Sequence, residues 1–161
     1  MSNSTNKVNM SDHAAAAKAV RAFMKAQGIK GTVKAARAAG TSSLTIRLDN
    51  GSPEQVATVT AFSDKFQYGH FDPMTDSYEY SNSRDDVPQV RYIFVDAVFD
   101  TETKQRALDA LSKRFDLPAM VYDNAPYDLT ICGEKQNTYS AMRGVLLGTH
   151  YPPVPLWEKA A

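Results

Sequence analysis

The chain has 161 residues, 43% hydrophobic and 22% charged, with no net charge and one cysteine. That is one domain's worth of residues, able to bury roughly two-thirds of its unfolded surface. The composition excludes a disordered or membrane-spanning chain, and a lone Cys132 excludes an internal disulfide.

Residues 1–10, MSNSTNKVNM, are polar and rich in Ser and Asn. They read as a disordered leader and lack the apolar core of a secretory signal, so the expected setting is cytoplasmic. The next stretch, SDHAAAAKAVRAFMKAQG, is a helix with Asp12 as its cap and Gly28 as its stop. Val20, Phe23 and Met24 form its apolar stripe, and Lys18, Arg21 and Lys25 form a basic one. From 43 to 49, Leu44, Ile46 and Leu48 alternate with polar residues as in a half-buried strand. Thr32 to Ala38 is good helix by composition, but it follows Gly28 and Gly31 and reads better as a strand paired to 43–49 through a turn at Gly40. Asn50-Gly51 is a turn. Ser52, Pro53 and Gln55 then open a second helix with a capping box, and Val56, Val59, Phe62 and Phe66 recur on one face.

Residues 67–89 read as a long irregular segment, the kind of loop that carries function. RYIFVDAVFD is apolar on both faces except for Asp96 and is expected to be a central strand. Thr101 to Arg114 is a third helix with Ala107, Leu108, Leu111 and Phe115 inward. A short apolar stretch, Asp128 to Cys132, precedes a last helix begun at Asn137 and ended at Gly148, with Met142, Val145 and Leu146 inward. Trp157, in the proline-restricted YPPVPLW, is expected to dock on the core. The order α-β-β-α-loop-β-α with a short β/α appendage predicts an α+β fold, a small and mainly antiparallel sheet with helices packed on one face. It is read as one domain over 11–161, with a C-terminal extension from 101.

The charge is uneven. Residues 1–60 hold eight basic against three acidic side chains, and residues 61–100 hold the reverse. There is no phosphate-binding loop, no dinucleotide fingerprint and no zinc spacing, and Cys132 is expected to be a buried apolar thiol rather than a nucleophile for His150. His70, Asp72, Asp76 and Glu79 lack the order and glycine of a calcium loop. No catalytic residue, metal or cofactor is therefore assigned.

The segment FDPMTDSYEY, Phe71 to Tyr80, mixes rings with carboxylates. Asp72, Asp76, Tyr78, Glu79, Asp85 and Asp86 are the candidate partner-binding residues, rings giving contact area and carboxylates directional charge toward a basic protein surface. In the competing arrangement Phe71, Met74, Tyr78 and Tyr80 pack beneath the loop and the acids only face water or cap turns. The alternative function is nucleic-acid binding through a basic face of Lys18, Arg21, Lys25, Lys34, Arg37 and Arg47.

The passage KAARAAGTSSLTIRLDNGSPEQV, together with Phe71, Asp72, Met74, Asp76, Tyr78, Glu79 and Tyr80 in the pattern F-D-x-M-x-D-x-Y-E-Y, resembles the large polyvalent protein-associated domains. These are small α+β modules of phage and conjugative elements, and the resemblance covers roughly residues 12–100. It implies a mobile-element protein in a bacterial cell, delivered against host defences. The expected function is non-enzymatic binding of a host protein, such as a component of a defence system.

Overall fold

A computed structural model describes residues 10–157. The leader expected over residues 1–10 lies outside them except for Met10, which is exposed and belongs to no element. The described chain forms α1 (Asp12–Ala26), β1 (Gly31–Ala38), β2 (Thr41–Asp49), α2 (Pro53–Ser63), β3 (His70–Asp72), β4 (Ser77–Glu79), β5 (Tyr92–Val98), α3 (Thr101–Phe115), β6 (Asp128–Ile131), β7 (Glu134–Asn137) and α4 (Thr138–Leu146). The fold is α+β with small sheets, as the pattern predicts. It divides into two compact units, one of residues 10–48 and 57–96, the other of residues 49–56 and 97–157.

In the first unit α1 packs on β1. Its cap is Ser11, not Asp12, and the Ser11 side chain makes no capping bond. Asp12 instead stands in the first turn, where a negative charge suits the helix dipole. Gly28, with φ 68°, ends the helix in the left-handed conformation that lets the chain turn into β1. β1 and β2 pair antiparallel, Val33 opposite Ile46 and Lys34 opposite Thr45. The turn between them is Ala39-Gly40, both at positive φ as a two-residue hairpin turn requires. Val33, Leu44, Ile46 and Leu48 are buried, as are Ala16, Ala17, Val20 and Met24 of α1.

The sheet order is β1-β2-β5, so RYIFVDAVFD supplies an edge strand and not the central one. Arg91 N–H donates to Ser42 and Asn50 N–H to Val98, so β5 runs parallel to β2. Only Ala97 of β5 is buried, while Phe94 is more than half exposed. An unbroken apolar run reads the same whether its second face is covered or carries open rings, and here the rings are open.

Residues 67–89 are irregular for most of their length but contain one regular piece. β3 and β4 form a small antiparallel hairpin with His70 opposite Glu79, Phe71 opposite Tyr78 and Asp72 opposite Ser77. Side-chain amides bond the rest of the segment to backbone. Gln67 donates to Gly69 O and accepts from Ile93 N–H, Asn82 donates to Asp64 O and Gln67 O, and Gln89 donates to Lys65 O and Asn82 O. Such bonds satisfy backbone groups that lack a strand neighbour.

In the second unit α3 packs on α4. Ala107, Leu108, Leu111, Leu129, Ile131, Met142, Val145 and Leu146 share one core, with Phe115 and Trp157 partly buried against it. Trp157 docks as expected, its indole N–H donating to Leu146 O at 3.0 Å. Asp100 caps α3 through Thr103 N–H, and Asn137 caps α4 through Ser140 N–H. β6 continues through a tight turn into β7, a strand too polar to announce itself in the sequence. The turn residues Cys132 and Gly133 both have positive φ. Cys132 is therefore exposed at a hairpin tip, not buried as expected.

Candidate functional site

The hairpin register separates acids from rings. Paired strand residues share a face, so His70, Asp72, Ser77 and Glu79 lie on one side and Phe71 and Tyr78 on the other. On the acid side the carboxylates have local work. Asp72 accepts from Met74 N–H at 2.9 Å and from the Thr75 hydroxyl at 3.0 Å, closing the turn. Those two bonds hold its carboxyl below the usual aspartate range. Glu79 stands 3.6 Å from His70 Nε2, with both side chains half exposed. Asp76 is exposed in the turn at φ 52°. Further on, Asp86 clamps Arg84 through both oxygens at 2.9 and 2.6 Å, which lowers the Asp86 carboxyl, while Asp85 is exposed. Of the acids named from the sequence, Asp76 and Asp85 have no bond assigned above.

The ring side assembles a cluster that the sequence did not announce. Tyr78 stands edge-on to Tyr68, Tyr80 and Tyr92, with ring centres 5.7, 5.3 and 5.6 Å away. Tyr68 and Tyr80 stack at 5.6 Å, and Tyr92 stacks on Phe94 at 6.1 Å. The Arg91 guanidinium lies over Tyr78 and Tyr92 at 4.6 and 5.5 Å. Its Nε is buried and has no hydrogen-bond partner among the described residues, so the ring faces are its main company. Tyr78 also donates its phenol to Arg91 O at 2.6 Å. Burial pushes that phenol up to about 12, with the neighbouring Tyr68 and Tyr92 adding to the shift.

Tyr78 is thus the half-buried hub, while the ends of the cluster face solvent. Tyr80 is 66% exposed and Phe94 56%. Phe71 and Met74 add exposed apolar surface on the hairpin, so of the four side chains that could have packed beneath the loop only Tyr78 does so. Tyr92 and Phe94 alternate with the less exposed Ile93 and Val95 and so lie on the side of the sheet turned from the core.

The basic residues do not form one face. Lys18, Arg21 and Lys25 lie exposed along α1, where Arg21 donates to Val33 O at 2.6 Å. Lys34 and Arg47 alternate with the buried Val33, Ile46 and Leu48, so they share the open sheet face with Tyr92 and Phe94. Arg37 has the parity of Val33, on the other face, and lines a 260 Å³ cavity with Ser11, His13 and Tyr68. Among the described residues no three His, Cys, Asp or Glu side chains gather as a metal site, and no helix is long and apolar enough to cross a membrane. No family model, curated protein or solved structure matches the chain.

Tyr68, Arg91, Tyr92 and Phe94 are the members that sequence reasoning missed. One signal was present: Tyr92 and Phe94 sit two apart in a strand, and so on one face.

Proposed function

We propose that this chain is a phage or mobile-element accessory protein that binds a host protein without catalysis and so inhibits a bacterial defence system, with the ring cluster as its contact surface. The single observation behind the surface is the exposure of Tyr80 and Phe94 at the ends of a packed five-ring cluster. Rings held in place by neighbours cost little entropy on binding, and Tyr and Arg dominate the energetics of protein interfaces. The mobile-element setting rests on the F-D-x-M-x-D-x-Y-E-Y resemblance.

A pull-down from bacterial lysate tests this reading, run with and without nuclease and compared with a Tyr80→Ala/Phe94→Ala variant. A stoichiometric protein that survives nuclease and is lost with the variant supports it. Retention of that protein by the variant removes the ring surface from the reading.

A second reading has its own observation. Lys34 and Arg47 share the open sheet face with Tyr92 and Phe94, an arrangement suited to phosphates beside stacked bases. It ranks second because residues 61–96 hold seven carboxylates against three cations. Binding that disappears with nuclease, and with Lys34→Glu/Arg47→Glu, would move it to first place.

A further inference from the structure

We propose that the ring surface takes an arginine-bearing basic segment of its partner, with guanidinium groups stacking on Tyr80 and Phe94. This rests on the reading of the cluster as a contact surface and adds the chemistry of what it contacts.

Three observations point to a guanidinium. The cluster already holds one, since Arg91 lies over Tyr78 and Tyr92 at 4.6 and 5.5 Å. The two terminal rings each keep solvent-exposed surface. Tyr80 stacks on Tyr68 and Phe94 stacks on Tyr92, and both remain more than half exposed. The segment that supplies the rings is acidic. Residues 61–96 carry seven carboxylates and three cations, and each of those cations is engaged. Lys65 lies 4.3 Å over Phe62, Arg84 is clamped by Asp86, and Arg91 is held by the rings.

A guanidinium suits such a site better than an ammonium. It is planar, can lie flat on a ring, and sheds water more readily. An acidic segment would meet the exposed Asp76 and Asp85 of the hairpin segment, while Lys34 and Arg47 stand on the open sheet face with Phe94. The rings choose arginine over lysine.

The test uses the full chain with labelled Tyr and Phe rings, titrated in NMR with short peptides of equal length built on Arg-Gly-Ser, Lys-Gly-Ser or Glu-Gly-Ser. The expected result is movement of the Tyr80 and Phe94 ring signals by the arginine peptide, binding about threefold weaker for the lysine peptide, and none for the glutamate peptide. Tyr80→Leu/Phe94→Leu keeps exposed apolar bulk and should erase the preference for arginine, with its melting profile recorded alongside to show that the fold is retained. Equal affinity for the arginine and lysine peptides, untouched by the leucine variant, would overturn the proposal in favour of bare charge attraction. A single-stranded oligonucleotide that moves the Phe94 signals where the arginine peptide does not would overturn it in favour of nucleic acid. If the ring variant loses the pulled-down protein while the arginine peptide moves no ring, the contact surface stands and only the arginine chemistry falls. If the ring variant keeps that protein, the surface itself falls.

Discussion

Tyr78 and Arg91 hold each other in two ways: the phenol donates a 2.6 Å hydrogen bond to the Arg91 carbonyl, and the Arg91 guanidinium lies 4.6 Å from the centre of the same ring. One residue comes from the small hairpin and the other from the entry to β5. The pair fixes the hairpin against the sheet edge, and the exposed rings inherit their positions from it.

Tyr78→Phe keeps the ring and removes the bond, leaving the Arg91 carbonyl short of a partner. The expected cost is about 1 kcal/mol by urea unfolding. The pH dependence has a definite sign. A phenol at about 12 in the folded chain and near 10.0 when unfolded stays protonated longer in the folded state. Its contribution is complete below pH 10 and is lost as pH rises toward 12. The phenylalanine variant should lose less stability across that window than the wild type. Its ultraviolet titration should also lack the latest-ionising phenolate.

Asp72→Ala tests the hairpin turn. Met74 N–H and the Thr75 hydroxyl lose their acceptor, so the variant should be cut faster by protease within residues 73–76 while the melting of the rest changes little. The carboxyl is depressed in the folded state, so its stabilisation is present above the ordinary value of 3.8 and is lost as pH falls through the folded value. The turn in the alanine variant should therefore be less sensitive to acid than in the wild type.

Gly69→Ala should disrupt the ring cluster itself. Gly69 is buried, and a methyl there would press on the Glu79 carbonyl and come within 2.6 Å of the Tyr78 ring. The hairpin would have to move, at a cost of roughly 1–3 kcal/mol. Near-ultraviolet circular dichroism, which reports on packed tyrosines, should weaken along with stability. An unchanged spectrum would mean that the hairpin tolerates displacement without disturbing Tyr78.

Ser52→Ala removes half of a reciprocal cap. Ser52 Oγ accepts from Gln55 N–H at 3.2 Å and Gln55 Oε1 accepts from Ser52 N–H at 3.1 Å. The expected loss is about 1 kcal/mol, measurable as a lower urea midpoint at unchanged slope.

What the sequence made legible was local. The Ser52–Gln55 cap, the Gly40 turn, the Asn137 start and the inward set Ala107, Leu108 and Leu111 each depend on residues within a few positions of one another, and all appear as read. What stayed hidden was assembled from a distance. Tyr68, Tyr78, Tyr80, Arg91, Tyr92 and Phe94 belong to three separate stretches that meet only when β3 and β4 fold beside β5. The three-residue strands β3 and β4 are too short to show an alternation. The acids were visible, but the use of Asp72 by its own turn was not, because an Asx bond depends on where the chain bends after Pro73. The single basic face failed for a related reason: helical spacing on α1 and strand alternation on β1 and β2 send the cations in different directions.

Asn50 and Asp100 lie fifty positions apart and exchange two hydrogen bonds, Asn50 Nδ2 to Asp100 at 2.7 Å and Asp100 N–H to Asn50 Oδ1 at 3.0 Å. The short stretch Asp49–Val56 is thus built into the C-terminal unit although it interrupts the N-terminal one in the chain. Heredity cannot then treat the two halves as interchangeable cassettes. A recombination crossover at residue 100 would swap the α3 cap without its Asn50 counterpart, leaving each hybrid a mismatched corner. Surviving exchanges should carry both stretches together or neither.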